Sequence, residues 1–541
     1  MATSLKHAEQ DPEVQSETKS PENHWTGRLY HVGLTICHHA QNYTGVGIVC
    51  SVAYFDPGSW GVDLQAGSQY GYKLLFVVLL AGLFAAFLQV LACRLGVVTG
   101  LDLASHCRVL LHNRPRHTKL WRWGALYPLY ALSEIAIVST DLSELLGSAT
   151  ALSLLFPALP LWAGVLITGA DVLLILALGN PLRDRPVKIF EWIIAALVFA
   201  VLICIAIIIA KINVVWGQAF DGFVPSQALF INGALYTFSP LSDKILEGEL
   251  AGVASRRKRL RCLGQAFLRN CRSSFIVSRA ELDELNARPT SHEGRENNAL
   301  EFVQSHLYHG MVDVVSSLLG FAVIINALIL ILASAVFYYG SGAYGSESPA
   351  SLFDTHSLIN DTIGKAAALI FALALLASGQ SASIVATVAG QSVSEGFLNW
   401  KVSPVVRRLA TRLLGLIPSM TVAIVVGPSG ISFLLVASQV ILSIVLPFIT
   451  FPLIYLTSSS RIMRVRKTSS SHKDISPLDN LEVSSLPAVT SVHSDPEIIQ
   501  KEDFVDFSSG KLMTSLGCLI WLVIVVANVY VLVTLGMGQG G

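Results

Sequence analysis

Long apolar runs separated by short polar ones fill the chain from residue 42 to residue 535. Windows that reach the roughly 18 apolar residues needed to cross a bilayer predict helices near 42–70, 74–98, 123–147, 161–178, 188–210, 229–250, 311–337, 363–395, 409–427, 431–457 and 512–535. Eleven such runs describe an all-α, multi-pass membrane protein. Three stretches break the pattern. Residues 1–41 are polar, residues 251–309 are basic and then polar, and residues 458–510, with "TSSSHKDISPLDNLEVSSLPAVTSVHSDPE", hold too little apolar surface to build a core. The expected organisation is a polar cytoplasmic tail (1–41) and a ten-helix core (42–457) interrupted by a polar loop (251–309). A Ser-rich linker (458–510) and an eleventh helix with a short tail (511–541) follow.

Composition agrees with this pattern, at 52% hydrophobic and 14% charged residues, and 37 basic against 37 acidic residues point to no nucleic-acid partner. The placement of charge is more informative than its sum. "CRVLLHNRPRHTKLWR", "PLRDRPVK", "SRRKRLR", "KVSPVVRR" and "RIMRVRK" all follow even-numbered spans, whereas "SLLFPALP" and "GPSG" on the other side carry no basic residue. Basic loops mark the cytoplasmic face, so the N-terminus is expected there. The run at Arg256 suits anionic lipid headgroups. The N-terminal 25 residues lack the layout of a cleaved signal, which leaves the first span as the targeting element. Asn360 heads the sequon "NDT" on the non-cytoplasmic side and is a candidate glycosylation site.

Eight cysteines form no CxxC pair, and Cys50, Cys93, Cys204 and Cys518 within apolar runs are read as small core residues. His106, His112, His117, His306 and His309 are read as surface residues. With no Ser-His-Asp arrangement and no phosphate-binding loop, nothing supports an enzyme, a primary pump or a permanently bound cofactor.

The chemistry concentrates where the first apolar run is interrupted, at "SVAYFDPGSWGVDLQAGSQYGYK". Pro57 removes a backbone donor and Gly58 permits unusual torsions, so the helix is expected to unwind beside Asp56. Unpaired backbone and a carboxylate at membrane depth are tolerated only around a buried or wet cavity. Asp56 is then either part of a mid-membrane binding site or one partner in a polar contact at a simple kink. Broken helices around a central site typify transporters built from inverted repeats, in which the sixth span is interrupted too. "NGALYTFSPLSDKILEGEL" supplies such an interruption at Pro240.

The stretches "AYFDPGSWGVDLQAGSQYGYKLL", "RLGVVTGLDLA", "SEIAIVSTDLSELLGSATAL", "ALLASGQSASIVATVAGQSVSEGFL" and "ASQVILSIVLPFITFPLIYLTSSSRIM" resemble, in order and spacing, the Nramp family of proton-coupled divalent metal transporters. The resemblance runs from about Gly45 to Met463. It implies a LeuT-like fold of five plus five inverted repeats with broken helices 1 and 6, here with an eleventh helix. It also implies a metal site at Asp56, Ser59, the carbonyls of Tyr54 and Ser239, and Gln439, with helix breaks at Pro57, Gly58 and Pro240.

Two departures touch the site. The family's Asp-Pro-Gly-Asn reads Asp56, Pro57, Gly58, Ser59, and its Met-Pro-His-Asn reads Ser239, Pro240, Leu241, Ser242. A second register places Thr237 and Ser239 at the Met and His positions. Neither restores sulfur or imidazole. An all-oxygen set, with Asp243 a further candidate, suits hard ions, so manganese or magnesium is expected over iron and cadmium. Gln439 is either a ligand or an interhelical hydrogen-bonder.

Glu134 and Asp141 lie seven residues apart, about 10 Å along one helix stripe, and Glu144 follows on the next turn. The family's proton route runs through matching positions. The alternative is that these acids pair with basic residues of neighbouring helices. Asp63 and Asp171 are possible supports. The expected function is proton-coupled symport of a divalent cation toward the cytoplasm by alternating access, in the plasma membrane or a vacuolar or endosomal membrane. A magnesium carrier without proton coupling and a non-transporting receptor or scaffold are the alternatives.

Overall fold

The computed structural model describes residues 46–177, 187–225, 292, 296–340, 350–399, 404–467 and 504–537. The predicted span 229–250, with Thr237, Ser239, Pro240, Leu241, Ser242 and Asp243, lies outside the described residues. So do the tail 1–41, the basic run at Arg256 and the side chain of Asp171.

The first predicted span is two helices, α1 (Val46–Val52) and α2 (Pro57–Tyr70). After a 3-10 turn, α3 (Leu75–Thr99) follows, then α4 (Leu103–Leu111) and α5 (Tyr127–Leu155). Next come α6 (Leu161–Ala177), α7 (Val187–Ile209) and the short α8 (Trp216–Asp221). A continuous helical run, α9 (Leu300–Tyr338), contains two π-helical stretches. The chain continues through α10 (Leu352–Thr362), α11 (Lys365–Leu398), α12 (Pro404–Val425), α13 (Pro428–Ser458) and α14 (Lys511–Gly536). Among the described residues, six helical runs are long and apolar enough to cross a membrane.

Helix α5 is the hub, packing against α6, α11, α12 and α13. Its buried face is rich in small and polar residues, among them Ser139, Thr140, Ser143, Gly147 and Ser148. Small residues let helix backbones approach closely where lipid offers no hydrophobic drive to association. The Pro57 ring shows the consequence. A Cβ added at Gly147 of α5 would overlap the ring, and one added at Gly379 of α11 would come within 3.3 Å of its Cγ. The interruption in the first helix is thus held between two glycines from different helices.

The structure corrects four sequence readings. Residues 458–510 are not solvated throughout, because Arg464–Arg466 pairs antiparallel with Phe504–Asp506 and Val465 is buried. Arg94 of α3 donates to the carbonyls of Phe507 (2.8 Å) and Ser508 (3.3 Å), while Asn297 donates to those of Ile462 (2.7 Å) and Arg464 (2.8 Å). These donors give the two ends of the linker a fixed backbone partner, an arrangement that composition does not reveal. The end of the polar segment 251–309 is likewise helical, since α9 starts at Leu300. His106 is completely buried, with Nε2 2.8 Å from Thr99 Oγ1 and Nδ1 3.0 Å from His292 Nε2.

The cysteines divide. Cys50 is buried, Cys93 and Cys204 are half-buried, and Cys518 is exposed on the outer face of α14, not in the core. Among the other residues read as surface, His117 and His306 are exposed and His112 and His309 half-buried.

The packing at Gly147 makes a direct prediction. Gly147→Ala removes a flexible helix residue but forces the Pro57 ring or α5 to move, and overpacking of this kind costs about 1–3 kcal/mol. Thermal unfolding of the purified protein should show a lower midpoint than the parent. An unchanged or higher midpoint would contradict the packing described.

Candidate functional site

Asp56 explains how the break is built. It has extended backbone torsions (φ −63°, ψ 164°) and caps α2, whose first residue is Pro57. Proline suits that position because the first helical N–H has no intrahelical acceptor. The Asp56 side chain accepts from Ser59 N through Oδ1 (2.9 Å) and from Gly58 N through Oδ2 (3.2 Å). A carboxylate at a helix N-terminus also meets the positive end of the helix dipole. Two further donors reach Oδ2, Ser143 Oγ of α5 at 2.9 Å and Gln439 Nε2 of α13 at 3.0 Å.

Asp56 is only 3% exposed, and no basic side chain pairs with it among the described residues. Four neutral donors therefore hold one buried carboxylate. Gly58 is part of the arrangement, since a Cβ there would overlap the Gln439 amide.

Carbonyls near the break are satisfied by side chains rather than by helix. Phe55 O accepts from Ser378 Oγ of α11 (2.6 Å) and from Trp60 Nε1 (3.0 Å). Tyr54 O accepts from Asn326 Nδ2 of α9 at 2.6 Å. Buried backbone acceptors require partners, and these helices supply them. Among the described residues, two of the buried side-chain oxygens without a hydrogen-bond partner belong to residues of this region, Ser59 Oγ and Asn326 Oδ1. Among the described residues, no group of three or more His, Cys, Asp or Glu is placed to hold a metal ion. Oxygen chemistry at the break therefore comes from one carboxylate together with hydroxyl, amide and carbonyl groups.

A second polar cluster adjoins the first through α5. Ser143, which bonds Asp56, lies between Asp141 and Glu144 in the chain, and both acids are completely buried. They face α12, where Arg412 Nη1 lies 3.6 Å from Asp141 Oδ1 and 3.5 Å from Glu144 Oε2. Arg412 also donates to Ser383 Oγ (3.0 Å) and Thr168 O (3.3 Å). Farther along the stripe, Glu134 Oε1 is 2.6 Å from Arg407 Nη2. All three acids thus have basic partners on α12, the alternative that the sequence leaves open.

Asp63 is buried in α2. Asn360 lies in the last turn of α10, half-exposed, donating to Asp361 Oδ1 at 3.1 Å.

The structure thus brings together Asp56, Ser59, Gln439 and the Tyr54 carbonyl, although Asn326 rather than open space faces that carbonyl. Sequence reading missed Ser143, Asn326, Ser378, Arg407 and Arg412. A signal existed for two of them. Asn326 in "VIINALILILA" and Arg412 in "ATRLLGLI" are polar groups inside apolar runs, where such residues call for partners.

Comparison with known proteins bears on both fold and family. A family model described as "Natural resistance-associated macrophage protein-like" (Nramp) matches residues 47–238 and 284–475. The manganese transporter pdt1 of Schizosaccharomyces pombe is 38% identical over 503 residues, covering 92% of this chain and 85% of the relative. The iron transporter SMF3 of Saccharomyces cerevisiae is 34% identical over 510 residues, covering 93% and 98%. A crystal structure of the Eremococcus coleocola manganese transporter, in complex with an aromatic bis-isothiourea compound, superposes with a TM-score of 0.64 at 24% identity, covering 95% of this chain and 88% of that one. The architecture is the all-α, LeuT-like one expected from the sequence.

The buried ion cluster yields a prediction for Arg412. Arg412→Met leaves two buried carboxylates without their guanidinium, and breaking a buried pair in this way costs about 3–5 kcal/mol. The thermal midpoint should fall sharply, and adding Asp141→Asn and Glu144→Gln to the same chain should recover most of the loss. A single variant as stable as the parent would show that the cluster is not the charge-compensated unit described.

Proposed function

The chain belongs to the Nramp family, and from that premise we propose that it is a secondary transporter of a divalent metal ion, manganese or another hard cation, bound at the break between α1 and α2. The observation that carries this reading is Asp56, a buried carboxylate whose partners among the described residues are all neutral donors. A carboxylate without a cationic partner offers a dication both its charge and its lone pairs. To accept the ion, Asp56 exchanges the amide and hydroxyl donors on Oδ2 for metal. The Gln439 amide turns its oxygen inward, and the Ser143 hydroxyl presents a lone pair instead of its proton.

Ser59 Oγ supports the same reading, because a buried hydroxyl without a partner is costly unless a ligand uses it. The Tyr54 carbonyl becomes available when the Asn326 amide rotates, which brings Asn326 Oδ1 to the place of its Nδ2. Ser239, beside the helix break at Pro240, completes the set in this proposal. Oxygen donors of this kind suit manganese or magnesium. Relatives of similar identity are named for manganese and for iron, so competition between metals is the relevant test of selectivity.

Protons are the proposed co-substrate. Asp141 and Glu144 share the Arg412 guanidinium inside the packed helices, and buried acids in a membrane protein are the usual material of a proton relay. Ser143 connects this cluster with Asp56 through a single helical turn, so metal charge arriving at Asp56 is felt at the acids beside it. Glu134, paired with Arg407, extends the row. Transport runs toward the cytoplasm by alternating access, with the broken helix as the moving part. The protein is a multi-pass component of the plasma membrane or a vacuolar or endosomal membrane, and Asn360 is available for glycosylation on the non-cytoplasmic side.

Two variants test the metal assignment. Asp56→Asn keeps a good helix cap and removes the charge, so the folded variant should lose manganese uptake down to the level of protein-free vesicles. Uptake at the parental rate would overturn the site. Combining Ser59→Asn with Ser239→Met adds an amide oxygen and a thioether. It should raise cadmium uptake relative to manganese in a competition assay, and an unchanged ratio would remove Ser59 and Ser239 from the selectivity device.

A further inference from the structure

The segment that joins α4 to α5 takes no part in the site, yet it has a definite structure and an unusual surface. From Leu103 to Ser133 the chain contains Arg108, Arg114, Arg116, Lys119 and Arg122 and no Asp or Glu. Among the described residues, Arg114, Arg116, Lys119 and Arg122 have no carboxylate partner. The turn is ordered by its own contacts. His117 adopts left-handed torsions (φ 59°) where the chain enters the helical run to α5. Arg122 donates through Nε to His112 O (2.6 Å) and through Nη2 to Asn113 Oδ1 (3.1 Å). The Arg114 guanidinium lies 4.5 Å from the centre of the Trp121 ring.

Large apolar side chains stand beside these cations. Leu120 is 67% exposed and Trp123 73%. Exposure of that kind is unfavourable in water and favourable at the headgroup level of a bilayer, where tryptophan concentrates. Length places the segment there. The helical run Thr118–Leu155 has 38 residues, about 57 Å at 1.5 Å per residue, and the hydrocarbon core is only about 30 Å thick. One end therefore extends beyond the hydrocarbon. By the distribution of Lys and Arg, residues 108–123 lie on the cytoplasmic side.

We propose that the turn at residues 114–123 is a binding site for the phosphate of an anionic lipid headgroup in the cytoplasmic leaflet. Arg116 and Lys119 supply exposed cations, Arg114 and Arg122 supply guanidinium groups already fixed in place, and Leu120 and Trp123 enter the acyl boundary. Because the same helical run carries Ser143, Asp141 and Glu144, the lipid holds the cytoplasmic end of the helix that lines the transport site.

The test uses the full-length protein in a mild detergent, titrated with phosphatidylserine, phosphatidylcholine or soluble glycerophosphoserine, with thermal unfolding and lipid adducts in native mass spectrometry as readouts. Arg116→Gln/Lys119→Gln is the informative variant, because the structure gives these side chains no hydrogen bond to lose. Phosphatidylserine should raise the midpoint of the parent, while the other two compounds should leave it unchanged. The double variant should bind phosphatidylserine about 25-fold more weakly, at about fivefold for each charge removed. Arg461→Gln/Arg464→Gln, at the cytoplasmic end of α13, should behave as the parent. Equal affinity of the parent and Arg116→Gln/Lys119→Gln would overturn the proposal. An equal loss in the Arg461/Arg464 variant would assign the effect to net charge and overturn it too, and so would stabilisation by glycerophosphoserine alone, which would mark a soluble ligand.

Discussion

A carboxylate kept inside a membrane protein with no counter-ion among the described residues is the constraint on which the rest of this structure depends. Burying an unpaired charge is expensive, and the chain offsets that cost at Asp56 with the N-terminus of α2, two backbone N–H groups, a serine from α5 and a glutamine from α13. Each donor requires its helix to come close. Glycines 58, 147 and 379 permit that approach, and their replacement by any larger residue meets Gln439, Pro57 or Ser148. Small residues, a proline at the helix start and polar residues on α5 and α11 are therefore parts of one arrangement.

The same logic extends to backbone and to the second cluster. Interrupting α1 and α2 places the carbonyls of Tyr54 and Phe55 beside side-chain donors, and α9, α11 and Trp60 provide them. Arg412 stands between two buried acids and also reaches Ser383 and Thr168. One helix, α5, presents Ser143 to the first cluster and Asp141 and Glu144 to the second. Charge at either place is thus coupled to the other over a single turn.

Local sequence made part of this visible. Asp56, Pro57 and Gly58 announce a broken helix because each is unfavourable inside an apolar span for a different reason. The spacing of Glu134, Asp141 and Glu144 places them along one stripe of α5. Their partners were less legible, since a serine such as Ser143 or Ser378 resembles many others until a carboxylate or carbonyl lies opposite it. Arg412 lies inside a predicted apolar span, which calls for a partner without saying which acids it meets, and it is 3% exposed within the packed helices. The burial of His106 and the pairing of Arg464–Arg466 with Phe504–Asp506 depend on contacts between segments distant in sequence. Composition cannot encode those contacts.

The central claim is that an oxygen-lined break carries a hard divalent cation together with protons. Its most direct test is uptake into proteoliposomes containing the purified protein, with manganese, magnesium, iron and cadmium compared and a pH-sensitive dye inside. The account predicts entry of manganese, with or without magnesium, in preference to cadmium, accompanied by acidification of the interior. Absence of flux for every metal in folded protein, or cadmium entry with no change in internal pH, would contradict it.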